Sequence, residues 1–432
     1  MDLTLVVFFL YHFVAVIPTA VLQLVLPELW AESCNENHLG AVDNGTRLAL
    51  NASGDCSANA IHVGIVLGSF SASAFIASVP IGWLVHRTNQ HWTFCFGLLL
   101  HAIGCAFIAS NNGVVWLSFA ALVYGFGAVF GTLSESTIVA RTFTEDASRS
   151  RVVCVFYLIT TAGYGSCFLL GTRAYKVVGQ AAFFAALAGV FVASIVVHIA
   201  LNKMWRELAA DYETISLNPT PDYDSSSADD GDGSAQVDTT TYTRLLREPI
   251  ALFTFGQILC VYWGLATVSA TGPAWLQRKL AIGAVENGGI LGVSSLVDCF
   301  VLVALVALID SNRKRWICFM AFILLQAAGC STYPFVDGAI LAVVAETAIR
   351  SSKAVTMALA PLVLFRIVDV CEVGTYSRVT ALYTIGKHSG YLLGMYGSPW
   401  LIKFWGFDNV YFGLAAILVP LGVATVWHSK LS

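Results

Sequence analysis

Glu346, Arg350 and Lys353 stand four and three residues apart in the apolar stretch Ala339 to Asp369, AILAVVAETAIRSSKAVTMALAPLVLFRIVD. On an α-helix these positions share one face. The stretch is long enough to cross a bilayer. At about 1.5 Å per residue from an entry near Gly338, the three charges lie roughly 12 to 22 Å into a hydrocarbon layer about 30 Å thick. Charge at that depth is costly and must face protein or water. Two chemistries fit the pattern: an internal Glu346–Arg350 ion pair that locks helix packing, or a whole face that lines a solute pathway. His12, Glu135, Asp298 and Lys387 lie at comparable depth in other apolar segments and complete the candidate set. In the C-terminal half the cations Arg350, Lys353 and Lys387 outnumber the anions Asp298 and Glu346. That bias would attract a carboxylate, a phosphate or a zwitterion more readily than a protonated amine. Glu135 is the candidate proton site, because a carboxylate buried at this depth can exchange a proton near neutral pH. His12 is either a hydrogen-bonded packing residue or a proton carrier.

The elements that must position these side chains are membrane helices. With 57% hydrophobic and 12% charged residues and a mean hydropathy of +0.73, a chain of 432 residues has the balance of a polytopic membrane protein. Net charge is −4 and no basic run or aromatic-basic patch occurs, which excludes nucleic acid as a partner. No nucleophile–base pair, metal-ligand spacing or phosphate loop is present, so neither enzyme chemistry nor a metal or cofactor site is expected.

In chain order, Leu3 to Pro27 is longer than the apolar core of a signal peptide and follows no basic residue, so it reads as a retained first helix. Residues 28–60 form a polar loop with the sequons Asn44-Gly-Thr and Asn51-Ala-Ser and with Cys34 and Cys56. Such a loop belongs on the lumenal side, where the asparagines can be glycosylated and the cysteines can close a disulfide. The other cysteines read as small core residues. Eleven further apolar segments follow, near 61–85, 92–110, 114–140, 152–172, 178–202, 250–272, 288–309, 316–334, 339–365, 378–402 and 408–428. Basic residues concentrate in loops on the side opposite the sequons, including Arg87, Arg149, Arg206, Arg244, Arg313, Lys314 and Arg315, which puts both termini in the cytoplasm. The hydrophilic stretch 207–243, with NPTPDYDSSSADDGDGSAQVDTTT, cannot bury a core and is expected to be a disordered cytoplasmic linker. The expected fold is therefore an all-α polytopic membrane protein with twelve transmembrane helices in two six-helix bundles, residues 1–206 and 244–432.

This plan resembles the major facilitator superfamily. Gly82-Trp83-Leu84-Val85-His86-Arg87 stands after helix two, where that superfamily has a glycine-led basic loop, here without its usual acidic residue. Gly125-Phe-Gly127 followed by Thr144-Glu145-Asp146 resembles helix four and the following loop of the vesicular amine transporters of the drug:proton antiporter type. So do Leu246 and Pro273-Ala274-Trp275 around helix seven, Arg315-Trp316 at helix nine, and Pro361, Val368-Asp369, Tyr376, Val379, Gly390-Tyr391 and Gly394 in helices ten and eleven.

That family carries acidic residues in helices one, seven, ten and eleven and a lysine in helix two. The matching positions here are Tyr11 or His12, Ser269, about Thr356, Thr384 and Phe70. The arginine of helix four falls on Ala121, and the proline pair of helix five on Phe168 and Leu169. The resemblance thus implies a secondary transporter of a small organic solute working by alternating access, but it does not bring the proton-for-amine machinery with it. The charges that are present point to a zwitterion or an organic anion. The competing expectation is a transporter-like receptor or interaction protein that no longer transports. The expected partners are the solute, protons and the lipid bilayer; the expected state is a monomer in a vesicle or plasma membrane. A midplane cavity is expected between helices one, four, seven and ten.

Overall fold

The computed structural model describes residues 3–27, 52–110, 113–143, 146–215, 247–308, 312–371 and 376–431. Within them the chain forms twelve helical segments in two six-helix bundles. In the first bundle α1 is Leu3–Val14, continued after a turn at 15–16 by 17–27; α2 is Ala52–Arg87, α3 Gln90–Ser110 and α4 Val114–Thr142. Next, α5 is Asp146–Ser166, carried on through a π turn at Cys167–Gly171 to residue 178, and α6 is 180–215. In the second, α7 is Pro249–Leu280, α8 Ala284–Leu308, α9 Asn312–Thr332 and α10 Ala339–Cys371. Finally, α11 is Tyr376–Leu392, carried through a π turn at Leu393–Gly397 into Ser398–Trp405, and α12 is Phe407–Leu431.

Several boundaries move from the sequence expectation. Helix α2 begins at Ala52, inside the expected loop 28–60, where ASGDCSANA supplies three alanines, the best helix formers. Helix α6 runs to Ile215, into the expected linker 207–243, because RELAADYE is also made largely of helix formers. Asn44, Asn51 and Cys34, and residues 216–243 of the linker, lie outside the described residues, as does the side chain of Cys56.

The two bundles repeat one packing scheme. In the first, α3 packs on α4 and α6, α2 on α4, and α1 on α5; in the second, α9 packs on α10 and α12, α8 on α10, and α7 on α11. Between them α2 meets α11 and α5 meets α8. Adding six to each helix number maps one set onto the other. Even the corners correspond: α5 turns into α6 at Gly179, φ 80° and ψ 165°, and α11 turns into α12 at Gly406, φ 85° and ψ 159°. Those dihedrals are open only to glycine, which explains both residues.

Ten stretches are long and apolar enough to cross a membrane among the described residues; one runs through both α5 and α6, and α11 is not among them. Apolar side chains such as Phe96, Val196, Phe300 and Phe412 are exposed on the outer faces, where lipid tails would cover them. Polar and ionisable side chains collect inside, between the bundles.

Candidate functional site

The N-terminal wall is built around His12. Helix α1 is interrupted at 15–16 because Pro18 has no N–H to give Val14, and the turn before the break carries Tyr11 and His12. Helix α5 comes against that turn at Gly163, where a Cβ would lie 2.6 Å from the Phe13 carbonyl oxygen. This approach brings Thr160, one turn earlier on α5, to His12, with Nδ1 and Oγ1 2.8 Å apart. Helix α4 comes equally close at Gly131, which lies against the Tyr11 hydroxyl. One turn further along α4, Glu135 Oε1 stands 2.7 Å from His12 Nε2. Phe156 lies stacked on the imidazole, ring centroids 5.1 Å apart and planes 23° apart. Glu135 is buried at 3% exposure, so its partner matters: a carboxylate taken out of water needs a donor.

The C-terminal wall is built on α10. Every residue of the best spanning window of α10 is buried inside the protein. Arg350 Nε donates to Glu346 Oε2 at 2.8 Å, and the Tyr333 hydroxyl donates to Glu346 Oε1 at 2.8 Å. Glu346 is fully buried behind the wall, whereas Arg350 and Lys353 reach the cavity. Both cations lie over rings of the other bundle: Arg350 is 5.2 Å from the Phe168 centroid, and Lys353 Nζ is 4.0 Å from that of Tyr164. Tyr164 and Phe168 are one turn apart on α5 and Arg350 and Lys353 one turn apart on α10, so the two helices meet as a short ladder of cation–π contacts. Asp298 on α8 also sits behind the wall, accepting from the Ser351 hydroxyl. On α11, Lys387 Nζ is 6.0 Å from the ring of Tyr262, whose hydroxyl is 3.0 Å from that of Tyr383. Neither Lys353 nor Lys387 has a carboxylate within salt-bridge distance among the described residues. Among the described residues the buried Arg350 Nη2 has no hydrogen-bond partner.

Between these walls is a cavity of about 160 Å³, with His12, Glu135, Thr160, Arg350, Lys353 and Lys387 among its lining residues. Helices one, four, seven and ten were expected to line it; α5 and α11 contribute as much, through Tyr157, Thr160 and Tyr164 and through Tyr383, Lys387, His388 and Tyr391. Of the sequence candidates, His12, Glu135, Arg350, Lys353 and Lys387 come together on the cavity, while Glu346 and Asp298 support it from behind. The bundles touch at both ends. Where α1 begins and α12 ends, Arg149 Nη1 donates to the Tyr376 hydroxyl at 3.2 Å and Arg315 Nη2 to Ser150 Oγ at 3.2 Å. At the opposite end the two π turns make the contact: Met395 and Tyr396 press on Gly64 and Gly68 of α2, and Phe168 on Gly288 of α8.

Thr160, Tyr164, Tyr333 and Ser351 were not foreseen. A hydroxyl inside an apolar segment gives no sign of its role until its partner is known. Tyr333 could have been suspected, since it falls in Tyr333-Pro334-Phe335, the turn that leads into α10.

Comparison with known proteins agrees with this fold. A family model described as Major Facilitator Superfamily matches residues 8–351. The vesicular acetylcholine transporter unc-17 of Caenorhabditis elegans is 22% identical over 382 residues, 86% of this chain and 66% of that protein. The chromaffin granule amine transporter of Homo sapiens is 19% identical over 364 residues, 81% of this chain and 63% of that one. The chain therefore spans a little less than two thirds of the length of these relatives. The crystal structure of the human organic anion transporter MFSD10 (TETRAN) superposes with a TM-score of 0.66 at 14% identity, covering 98% of each chain.

Proposed function

Because the chain belongs to the Major Facilitator Superfamily, we propose that it is a secondary transporter whose cavity takes a small organic solute carrying an anionic group, alone or in a zwitterion. One observation carries this reading: among the described residues Lys353 and Lys387 line the cavity with no carboxylate within salt-bridge distance, while the carboxylate that lines it, Glu135, is engaged by His12. A solute anion would satisfy the lysines and the spare Arg350 Nη2; a protonated amine would meet only repulsion from them. The aromatic lining, with Phe70, Tyr157, Tyr164 and Tyr391, suits an aromatic or other apolar body on that solute. The human protein of like fold is an organic anion transporter; the relatives from nematode and human vesicles carry acetylcholine and amines, and the acids of their family are replaced here.

The test is uptake into proteoliposomes, with and without a pH gradient, of benzenesulfonate, phenylalanine and benzyltrimethylammonium as anion, zwitterion and cation. Saturable uptake of either of the first two, and none of the third, is the expected result. Uptake of the cation alone would sink the reading. The replaced family acids favour a second reading, a receptor that binds without transporting; binding of benzenesulfonate with no uptake of any probe would decide for it.

The basic-residue asymmetry supports an orientation with both termini cytoplasmic and the 28–51 segment lumenal, in a vesicle or plasma membrane. Glycosylation at Asn44 and Asn51, a Cys34–Cys56 bond, and tryptic cleavage next to Arg206 and Arg244 from the cytosolic side only are the matching expectations. Unmodified sequons together with a protease-protected 207–243 segment would reverse the orientation.

A further inference from the structure

We infer that His12 and Glu135 together hold one transferable proton, and that this proton travels in the same direction as the anionic solute; the second half rests on the solute reading above. The hydrogen bonds around His12 constrain where its protons are. With the Thr160 hydroxyl donating to the Phe156 carbonyl of the preceding turn at 2.9 Å, its oxygen accepts toward His12. His12 Nδ1, 2.8 Å away, is in that arrangement the donor and carries a hydrogen. On the other side Nε2 and Glu135 Oε1 are 2.7 Å apart, a distance that two bare lone pairs would not hold. A second hydrogen lies between them, whether it is written on the imidazole or on the carboxyl group. In this conformation the pair is neutral overall and proton-loaded, and Thr160 fixes the tautomer so that gain and loss occur only at the Nε2–Oε1 edge, beside the cavity.

The surroundings say what loss of that proton does. The titratable and charged groups that line the cavity with the pair include Tyr11 on its own helix, His101 from α3, Tyr157 and Tyr164 from α5, Arg350 and Lys353 from α10, and Tyr383, Lys387, His388 and Tyr391 from α11. Within this set the cations are Arg350, Lys353 and Lys387, and Glu135 supplies the carboxylate. With the proton bound, the lysines are available to a solute anion. With the proton gone, one negative charge appears on the same cavity and competes with the solute for them. Proton and anion therefore strengthen each other's binding, and by linkage the effect is reciprocal. A carrier that binds both better together moves both together. The proton enters from water at the side where the cavity opens, stays on the Nε2–Oε1 edge, and leaves to water at the other side; no further reactant is needed.

Two measurements on the full-length protein in lipid nanodiscs decide the matter. In the first, ligand-free, ¹⁵N-histidine spectra of wild type minus His12→Gln report His12 alone: Nδ1 should stay protonated across the pH range while Nε2 changes. A bare Nδ1, or a His12 whose titration is unmoved by Glu135→Gln, would overturn the proton site. In the second, benzenesulfonate affinity is followed against pH, the probe itself keeping a fixed charge. The expected wild-type affinity is highest at acid pH and falls by roughly 5- to 150-fold as the pair deprotonates, with proton uptake on binding in that window. Glu135→Gln should bind with a shallower profile, the slope that remains being that of the lysines. A flat wild-type profile, or an unchanged slope in Glu135→Gln, would overturn the co-transport. If benzenesulfonate binds at no pH, the solute reading and the co-transport both fail, and the nitrogen spectrum still decides the proton site.

Discussion

The N-terminal half meets the cavity with an imidazole and a carboxylate that answer each other across 2.7 Å, and the C-terminal half meets it with two lysines and an arginine that have no such answer on the cavity side among the described residues. Yet the two halves have one frame. Their helices pair in the same scheme, their fifth members each carry a π turn at the seam with the other bundle, and their glycine corners have nearly the same dihedrals. The comparison teaches that the frame and the chemistry are set by different residues. Glycine corners and π turns repeat the architecture, and a few ionisable side chains make one wall self-sufficient and the other receptive.

The strongest way to break the comparison is to remove a charge from the receptive wall's support. Arg350→Met leaves Glu346 fully buried with only the Tyr333 hydroxyl, and a stranded charge of this kind costs about 3 to 5 kcal/mol. The expected result is a large fall in melting temperature in detergent and in abundance in the membrane. Glu346→Gln with Arg350→Met should recover most of both. If the double variant, at matched abundance, also transported at the wild-type rate, the pair would be a packing device and nothing more.

A test of the shared frame comes next. Gly179→Ala and Gly406→Ala place a side chain where nothing stands within 4 Å, so the penalty is conformational alone, about 1 to 3 kcal/mol at these dihedrals. The losses of thermal stability should be alike in the two halves. A loss at one corner and none at the other would show that the correspondence is superficial.

The smallest expected change concerns the receptive wall itself. Lys387→Ala should weaken benzenesulfonate binding roughly tenfold, about 1.4 kcal/mol, and leave benzyltrimethylammonium as weakly bound as before. Equal effects on anion and cation would mean that the lysine shapes the cavity without reading charge.

The fold was legible because it rests on signals that repeat: runs of about twenty apolar residues, polar interruptions and an uneven spread of basic residues. Each expected apolar segment has an observed helix, and the helices run furthest past it where helix formers continue, as at Ala52 and up to Ile215. The duplicated corners were not read, because Gly179 and Gly406 are two among 36 glycines and only their dihedrals single them out. At the site, ionisable side chains at membrane depth could be picked out one by one, since each is rare there. What spacing could not give is which residues of different helices would meet. His12 and Glu135 are 123 positions apart, and the close approaches that join them depend on Gly131 and Gly163, which look like any others. Spacing on α10 also suggested one common face, but Glu346 turns behind the wall while Lys353 reaches the cavity, because Tyr333 claims the carboxylate.

One glycine corner also bears on how the protein is made. Helix α11, with Arg378, Lys387, His388 and several hydroxyls, is not apolar enough to be counted as a membrane span. It would not partition into lipid readily by itself. The corner at Gly406 ties it to its C-terminal neighbour α12, which is apolar enough to span and whose outward face carries Phe412, Ile417, Val419 and Val423. With a single residue to separate them, the two helices are expected to leave the translocation channel as one hairpin, the apolar arm carrying the polar arm into the bilayer. One wall of the cavity is thus delivered by a helix that takes no part in it.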